Sequence, residues 1–332
     1  MQLPSYLTTL LDVYAFCWGA VWGSFLNVVI WRLPRGASLV HPGSRCPACG
    51  SPIRPRDNVP ILGWLVLRGR CRDCGVRISG RYPAIEALCG GLSLLLWWHV
   101  GADGRLASEP LQVVLMPFLF HFFFVMLLVA IAFIDLDLTI IPHELTLPGM
   151  VWGLLAGLLM PRGGAWMWYH PSIDWVDALV GLVAGGAFIG VVFVGYRAVT
   201  GRVGLGGGDA TLLAMIGANL GWQQLPLVLL AGSLLGLVAA VGFSLWERWT
   251  GRGSLLIRGA WKPEFWDADP LEPQAPADGP RAVDPEACGD GEGEGSLMQM
   301  ALPFGPFLAL GALCALFGGG TFVHWLTAGA WP

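Results

Sequence analysis

The chain has 332 residues, 55% of them hydrophobic and 13% charged, with a formal net charge of −4 and a mean hydropathy of +0.62. A soluble domain carries about 25% charged residues. Apolar runs recur along the whole length, so the composition excludes an ordinary soluble fold and leaves an all-α polytopic membrane protein.

A bilayer span needs about 20 mostly apolar residues. Eight transmembrane helices are expected, near 10–31, 84–100, 111–134, 145–161, 175–196, 209–221, 225–246 and 302–328. The sixth is short enough to be tilted, buried or only partly spanning. No basic n-region or small-residue cleavage site precedes the first, so it is read as a retained helix and not a signal peptide. Trp31, Trp97, Trp98, Trp175, Trp222 and Trp246 fall near proposed ends, as an interfacial belt requires.

After the first helix (1–31) comes a loop, 32–83, with ten Arg against Asp57 and Asp73, a net charge of +8. It is too poor in apolar residues for a core of its own and needs a staple. Cys46-Pro-Ala-Cys49 and Cys71-Arg-Asp-Cys74 supply one: two C-x2-C pairs separated by 21 residues have the spacing of a closed structural zinc site. The positive charge, without base-reading elements, suits anionic lipid headgroups or topology determination and not nucleic acid. Cys17, Cys89 and Cys314 lie in apolar stretches and are read as small buried hydrophobes.

The main transmembrane core, 84–260, holds two acids where acids are costly. Asp135 closes the run VMLLVAIAFID, and Asp209 follows the glycine cluster GLGGGD and opens ATLLAMIGANLG. Two carboxyls in one wet pocket share a proton, the ionised one activating water and the protonated one polarising a carbonyl. Helix dipoles favour the anion on Asp209, at a helix N-terminus, and the neutral acid on Asp135, at a C-terminus. Gly204, Gly206, Gly207 and Gly208 give the loop room for an extended peptide. A phosphate cradle would need a Walker-type Lys-Ser/Thr, which is missing. Asp137 is read as a more exposed supporting acid, His143 and Glu144 as loop surface, and His121 as a hydrogen-bonded core residue.

Residues 261–296 carry ten acids against Lys262 and Arg281, a net −8, with no apolar periodicity. They are expected to be a disordered insert, followed by the last helix in 297–332. If 32–83 is cytoplasmic and the spans alternate, seventeen of the nineteen basic residues fall inside. That bias fixes the orientation and brings Asp135 and Asp209 to the cytoplasmic face.

Five blocks in order resemble the type IV prepilin peptidases, a GxGD-type intramembrane aspartyl protease family: GSFLNVVIWRLPRG (23–36), the cysteine loop through Glu86 (46–86), AFIDLDLTIIPHELTLP (132–148), GLGGGDATLLAMIGANLG (204–221) and LPFGPFLALGAL (302–313). The resemblance implies an inner-membrane endopeptidase that cleaves prepilins and pseudopilins, of pili or of a secretion system, after the Gly of a short basic leader. It carries the catalytic role to Asp135 and Asp209, the zinc-ligand role to Cys46, Cys49, Cys71 and Cys74, and motif positions to Gly206 and Gly208. It further implies N-methylation of the new terminus with S-adenosylmethionine, for which Glu86 is the candidate by position. His143 departs from the Asp or Asn common in the family at its place, and the acidic insert is longer than expected. Two alternatives remain: a peptidase without methyl transfer, and a non-catalytic transport or assembly component using the acids as a cation site. The clustering of both acids at one membrane face argues against the second.

Overall fold

The computed structural model describes residues 4–101, 110–160, 174–200, 207–250 and 303–328. Gly206 and the acidic insert 261–296 lie outside the described residues. Each of the eight apolar stretches holds a helix. These are α1 (Ser5–Arg32), α3 (Arg81–His99), α4 (Leu111–Leu138), α5 (His143–Leu159), α6 (Trp175–Thr200), α7 (Gly207–Leu220), α8 (Leu225–Thr250) and α9 (Gly305–Ala328), with a short α2 (Leu62–Val66) inside the cysteine loop.

Proline marks several starts. Pro4, Pro110 and Pro142 stand immediately before α1, α4 and α5, where an extended residue with a fixed φ leads into the first turn. The end of α4 is set by Thr139, a left-handed residue whose N–H donates to the Asp135 carbonyl at 2.8 Å.

Among the described residues, four helices are long and apolar enough to cross a bilayer, covering Ser5–Arg35, Leu111–Leu138, Trp175–Val199 and Trp222–Trp246. Of the other expected spans, α3, α5 and α7 fall short for physical reasons, and α9 counts as a shorter apolar helix over Gly305–Gly319. α3 opens with Arg81 and carries Glu86 in its second turn, α5 has 17 residues, and α7 has 14. At 1.5 Å per residue α7 reaches about 21 Å, short of a hydrocarbon core of about 30 Å.

α7 is the hub of the bundle. Every residue from Leu212 to Leu220 is buried, and the helix packs on α5, α6, α8 and α9. α1 pairs with α3, α8 with α9, and α4 joins α1, α3, α5 and α9. Lipid gives helices no hydrophobic reason to associate, so close backbone approach and polar ties hold them. A Cβ on Gly153 would lie 2.6 Å from the Ala218 carbonyl carbon, and one on Gly23 would lie 2.8 Å from Glu86 Cα. Asn219 Nδ2 donates to the Gly149 carbonyl at 2.9 Å, and Ser93 Oγ to that of Ala15 at 2.7 Å.

Three expectations are corrected. Cys17 and Cys314 are exposed on outward helix faces, and only Cys89 of the three is buried; a lipid-facing position tolerates a small apolar thiol as readily as a core does. His143 and Glu144 are exposed as expected but form the first turn of α5, because Pro142 starts a helix there. Trp97 is buried, edge-on to Phe118, and serves packing and not the interface.

Candidate active site and cysteine centre

Asp135 sits in the last turn of α4 and is 4% exposed. Its Oδ2 accepts the backbone N–H of Gly305, the first residue of α9, at 2.9 Å. A Cβ on Gly305 would come within 2.6 Å of that oxygen and 3.3 Å of Ile141 Cδ1. Ile141 also closes on the other side: a Cβ on Gly208 would approach its Cβ at 2.8 Å.

Asp209 follows Gly208 in the first turn of α7 and is half-buried. The end of α4, the turn through Ile141 and the N-termini of α7 and α9 therefore converge on one spot. Both N-termini bring positive dipole ends to the carboxyls. The Gly305 N–H adds an anion-favouring donor to Asp135 that the dipole argument on α4 alone does not include. Thr211 Oγ1 bonds the Gly208 carbonyl at 2.8 Å and closes the turn that carries Asp209.

Asp137 is partly exposed, as expected of a supporting acid. It receives a two-pronged bond from Arg81, the first residue of α3: Nη1 to Oδ1 at 2.8 Å and Nη2 to Oδ2 at 2.7 Å. His121 is buried, its Nδ1 2.7 Å from the Pro117 carbonyl, in keeping with a core role.

Glu86 is buried where α1, α3 and the cysteine loop meet. Its Oε2 accepts the Ile61 N–H at 2.6 Å, and Ser24 of α1 is a second partner. Ile61 is the centre of a γ-turn, with φ 61° and ψ −53° and the Leu62 N–H on the Pro60 carbonyl. This is a strained place for a β-branched residue, and the Glu86 carboxylate holds it there.

The four cysteine sulfurs lie within 4.8 Å of one another. Cys46 and Cys74 are 3.8 Å apart, and Cys49 and Cys71 4.0 Å. A tetrahedral zinc with Zn–S of about 2.3 Å sets sulfurs about 3.8 Å apart, so the cluster fits such an ion. These close pairs bridge two knuckles, one per C-x2-C pair, that share one form. Cys46 donates its N–H to Ser51 and Cys71 to Val76, while Gly50 and Gly75 turn at φ 69° and 73° and donate back to Cys46 and Cys71. Burial pushes the Cys46 thiol up to about 12. Hydrogen bonds from Ser51 pull Cys49 down to about 6. Arg72 clamps Asp57 through two nitrogens, pinning the second knuckle to the turn before α2, and holds the Asp57 carboxyl below its ordinary value.

The sequence reading did not single out Gly305, Ile141 or the Arg81–Asp137 pair. The block LPFGPFLALGAL held the only signal for Gly305, and it was legible there only as part of a helix.

Fold and site together define an all-helical protein with four candidate membrane spans among its described residues, a buried carboxyl at the meeting of three helix ends, and a four-cysteine cluster between α1 and α3. Residues 17–100 match the family described as Bacterial Peptidase A24 N-terminal domain, and residues 122–241 match the Type IV leader peptidase family. The first segment contains the cysteines and Glu86, the second Asp135 and Asp209. The chain is 38% identical to the prepilin leader peptidase/N-methyltransferase of Myxococcus xanthus (strain DK1622), over 94% of this chain and 91% of that one. It is 37% identical to the protein of the same description from Aeromonas hydrophila, over 74% and 85% of the two chains. The Neisseria gonorrhoeae counterpart is 34% identical, over 67% and 79%. No solved structure matches the chain. The chain belongs to the type IV leader peptidase family.

Proposed function

We propose that this chain is a prepilin leader peptidase and N-methyltransferase of the bacterial inner membrane, with all eight long helices embedded and the cysteine loop in the cytoplasm. The observation that carries the peptidase reading is the meeting, around Ile141 and Gly305, of the end of α4 that bears Asp135 with the start of α7 that bears Asp209, at the membrane face that the Arg bias makes cytoplasmic. The substrate is a prepilin or pseudopilin with a basic leader ending in Gly, its apolar helix lying in the lipid and the scissile bond presented at the carboxyl pair.

One carboxyl, ionised, takes a proton from water as the oxygen attacks the Gly carbonyl carbon. The other, protonated, donates to the carbonyl oxygen. The tetrahedral intermediate collapses as its C–N bond breaks and a proton passes to the departing amine. No covalent enzyme intermediate forms. The pair titrates as a unit; Asp209 as anion and Asp135 as acid is the resting assignment we favour. Gly208 is packed on Ile141, and the open space that suits an extended peptide lies instead beside Gly207, where an added Cβ would meet nothing within 4 Å.

Cys46, Cys49, Cys71 and Cys74 would hold a structural zinc, which fixes the fold of the loop. S-adenosylmethionine, when bound, supplies the methyl group for the new terminal amine. Glu86 is the residue we assign to that activity, through the Pro60–Leu62 turn it ties to α3. Its bonds to Ile61 and Ser24 equally suit a purely structural acid, so the peptidase-only reading stands as the alternative.

Purified protein with a prepilin substrate separates these readings. Cleavage after the leader Gly should disappear in Asp135→Asn and in Asp209→Asn. Labelled methyl donor should mark the wild-type product, and Glu86→Gln should lose that label while still cleaving. Full cleavage by either Asn variant removes that aspartate from the mechanism, and an unlabelled wild-type product leaves the peptidase alone.

A further inference from the structure

We propose that Arg81 and Asp137 form a positioning pair that aims Asp135 and links the cysteine loop to the carboxyl centre. The inference rests on the peptidase reading and concerns how its site is held.

The link can be followed bond by bond. The second knuckle closes with the Cys71 N–H on the Val76 carbonyl at 2.8 Å. The segment leaving it is held twice at Ile78: its N–H donates to the Gly69 carbonyl at 2.8 Å, and its carbonyl accepts Trp64 Nε1 at 3.1 Å. Three residues later the chain enters α3, where the Arg81 N–H meets Ser79 Oγ at 3.2 Å. Knuckle and guanidinium are thus joined by a short, tied segment.

The guanidinium then meets α4. Its two prongs on Asp137 are 2.7–2.8 Å long, the side chains are 9% and 15% exposed, and the cation lies 5.1 Å above the Phe133 ring. Phe133 and Asp137 are one turn apart on one face of α4, so Arg81 grips that turn from the side. Asp135 lies between them in sequence and points elsewhere, toward Gly305. A planar fork on a carboxylate fixes orientation as well as distance. It therefore sets the rotation of the last turn of α4, and with it the direction of the Asp135 side chain. The positive charge at the α4 C-terminus also complements the helix dipole.

The test uses the full-length protein in detergent, as wild type, Arg81→Gln, Asp137→Asn, the double variant and Arg81→Lys. Two readouts are taken: kcat and KM for prepilin cleavage, and hydrogen–deuterium exchange over 136–141, which reports the Thr139-to-Asp135 cap. A misplaced reacting group loses rate by roughly 10–100-fold. Each single variant should lose kcat on that scale with KM within about twofold, and exchange at 136–141 should quicken. The double variant should be no worse than the worse single, because one interaction is lost once. Arg81→Lys keeps the charge, guards against misfolding in the neutral variants, and should recover part of kcat.

Unchanged kcat and exchange in the single variants would overturn the proposal. So would losses that multiply in the double, or a rise in KM alone. The exchange readout needs no catalysis, so failure of the peptidase reading shows separately: wild type would not cleave, or would cleave equally well as Asp135→Asn, whatever exchange at 136–141 reports.

Discussion

The close fit that bears on the site directly is at Gly305. Its N–H must approach Asp135 end-on, and a methyl group there would press on the same oxygen at 2.6 Å. Gly305→Ala should leave the protein folded but displace one carboxyl, cutting cleavage by about 100-fold, which single-turnover kinetics would read. Gly208→Ala presses on Ile141 and not on a carboxyl, and should lose less. Asp135 was legible in the sequence because an acid in an apolar run has few innocent explanations. Gly305 was not, because the group it contributes is a backbone N–H that nearly every residue carries; only the meeting of two distant helices gives it meaning. The cysteines were fully legible, since two knuckles of fixed geometry need little tertiary help to come together.

At the scale of elements, α7 is the least ordinary helix. It is too short to span and apolar on all sides, and periodicity cannot tell such a helix from a short span. Its place as the hub follows from its neighbours' glycines, which pair with it from other segments of the chain. Gly181 of α6 and Gly217 of α7 meet backbone to backbone. Gly217→Leu should force them apart and cost at least 1–3 kcal/mol, the usual range for overpacking; thermal unfolding in detergent would show it as a lowered Tm. Asn219→Leu removes ties to Gly149 and Met215 and should cost less, about 1 kcal/mol, since polar ties between membrane helices are individually modest. The order of the two effects is the test. The positions of the helices were readable from hydropathy, while the hub arrangement was not, because the apolar stripes that would reveal packing are absent when lipid and protein are equally apolar.

For the whole molecule, the cysteine loop and the bundle have different sensitivities to pH. Arg72 holds the Asp57 carboxyl below its ordinary value. That pair therefore stabilises the loop fully above about pH 4, and the contribution is lost only as pH falls through the lower folded value. It can produce no pH dependence between 5 and 8. The thiols can: Cys49 ionises near 6, whereas burial holds Cys46 protonated to about 12 until a metal displaces its proton. Metal uptake should release protons and weaken on acidification across that window, which a chelator competition at several pH values would measure. Stripping the metal should loosen 44–79 first and the helical bundle later, seen as a protease-sensitive loop on an intact membrane core.

The bond between Gly305 and Asp135 spans 170 positions of the chain. During synthesis the first of the two acids leaves the ribosome long before the helix that orients it. A growing chain holds both acids and the glycine turn yet lacks the donor that fixes Asp135. The order of translation therefore makes the orientation of Asp135 a late event, complete only once the helix that begins at Gly305 has joined the bundle.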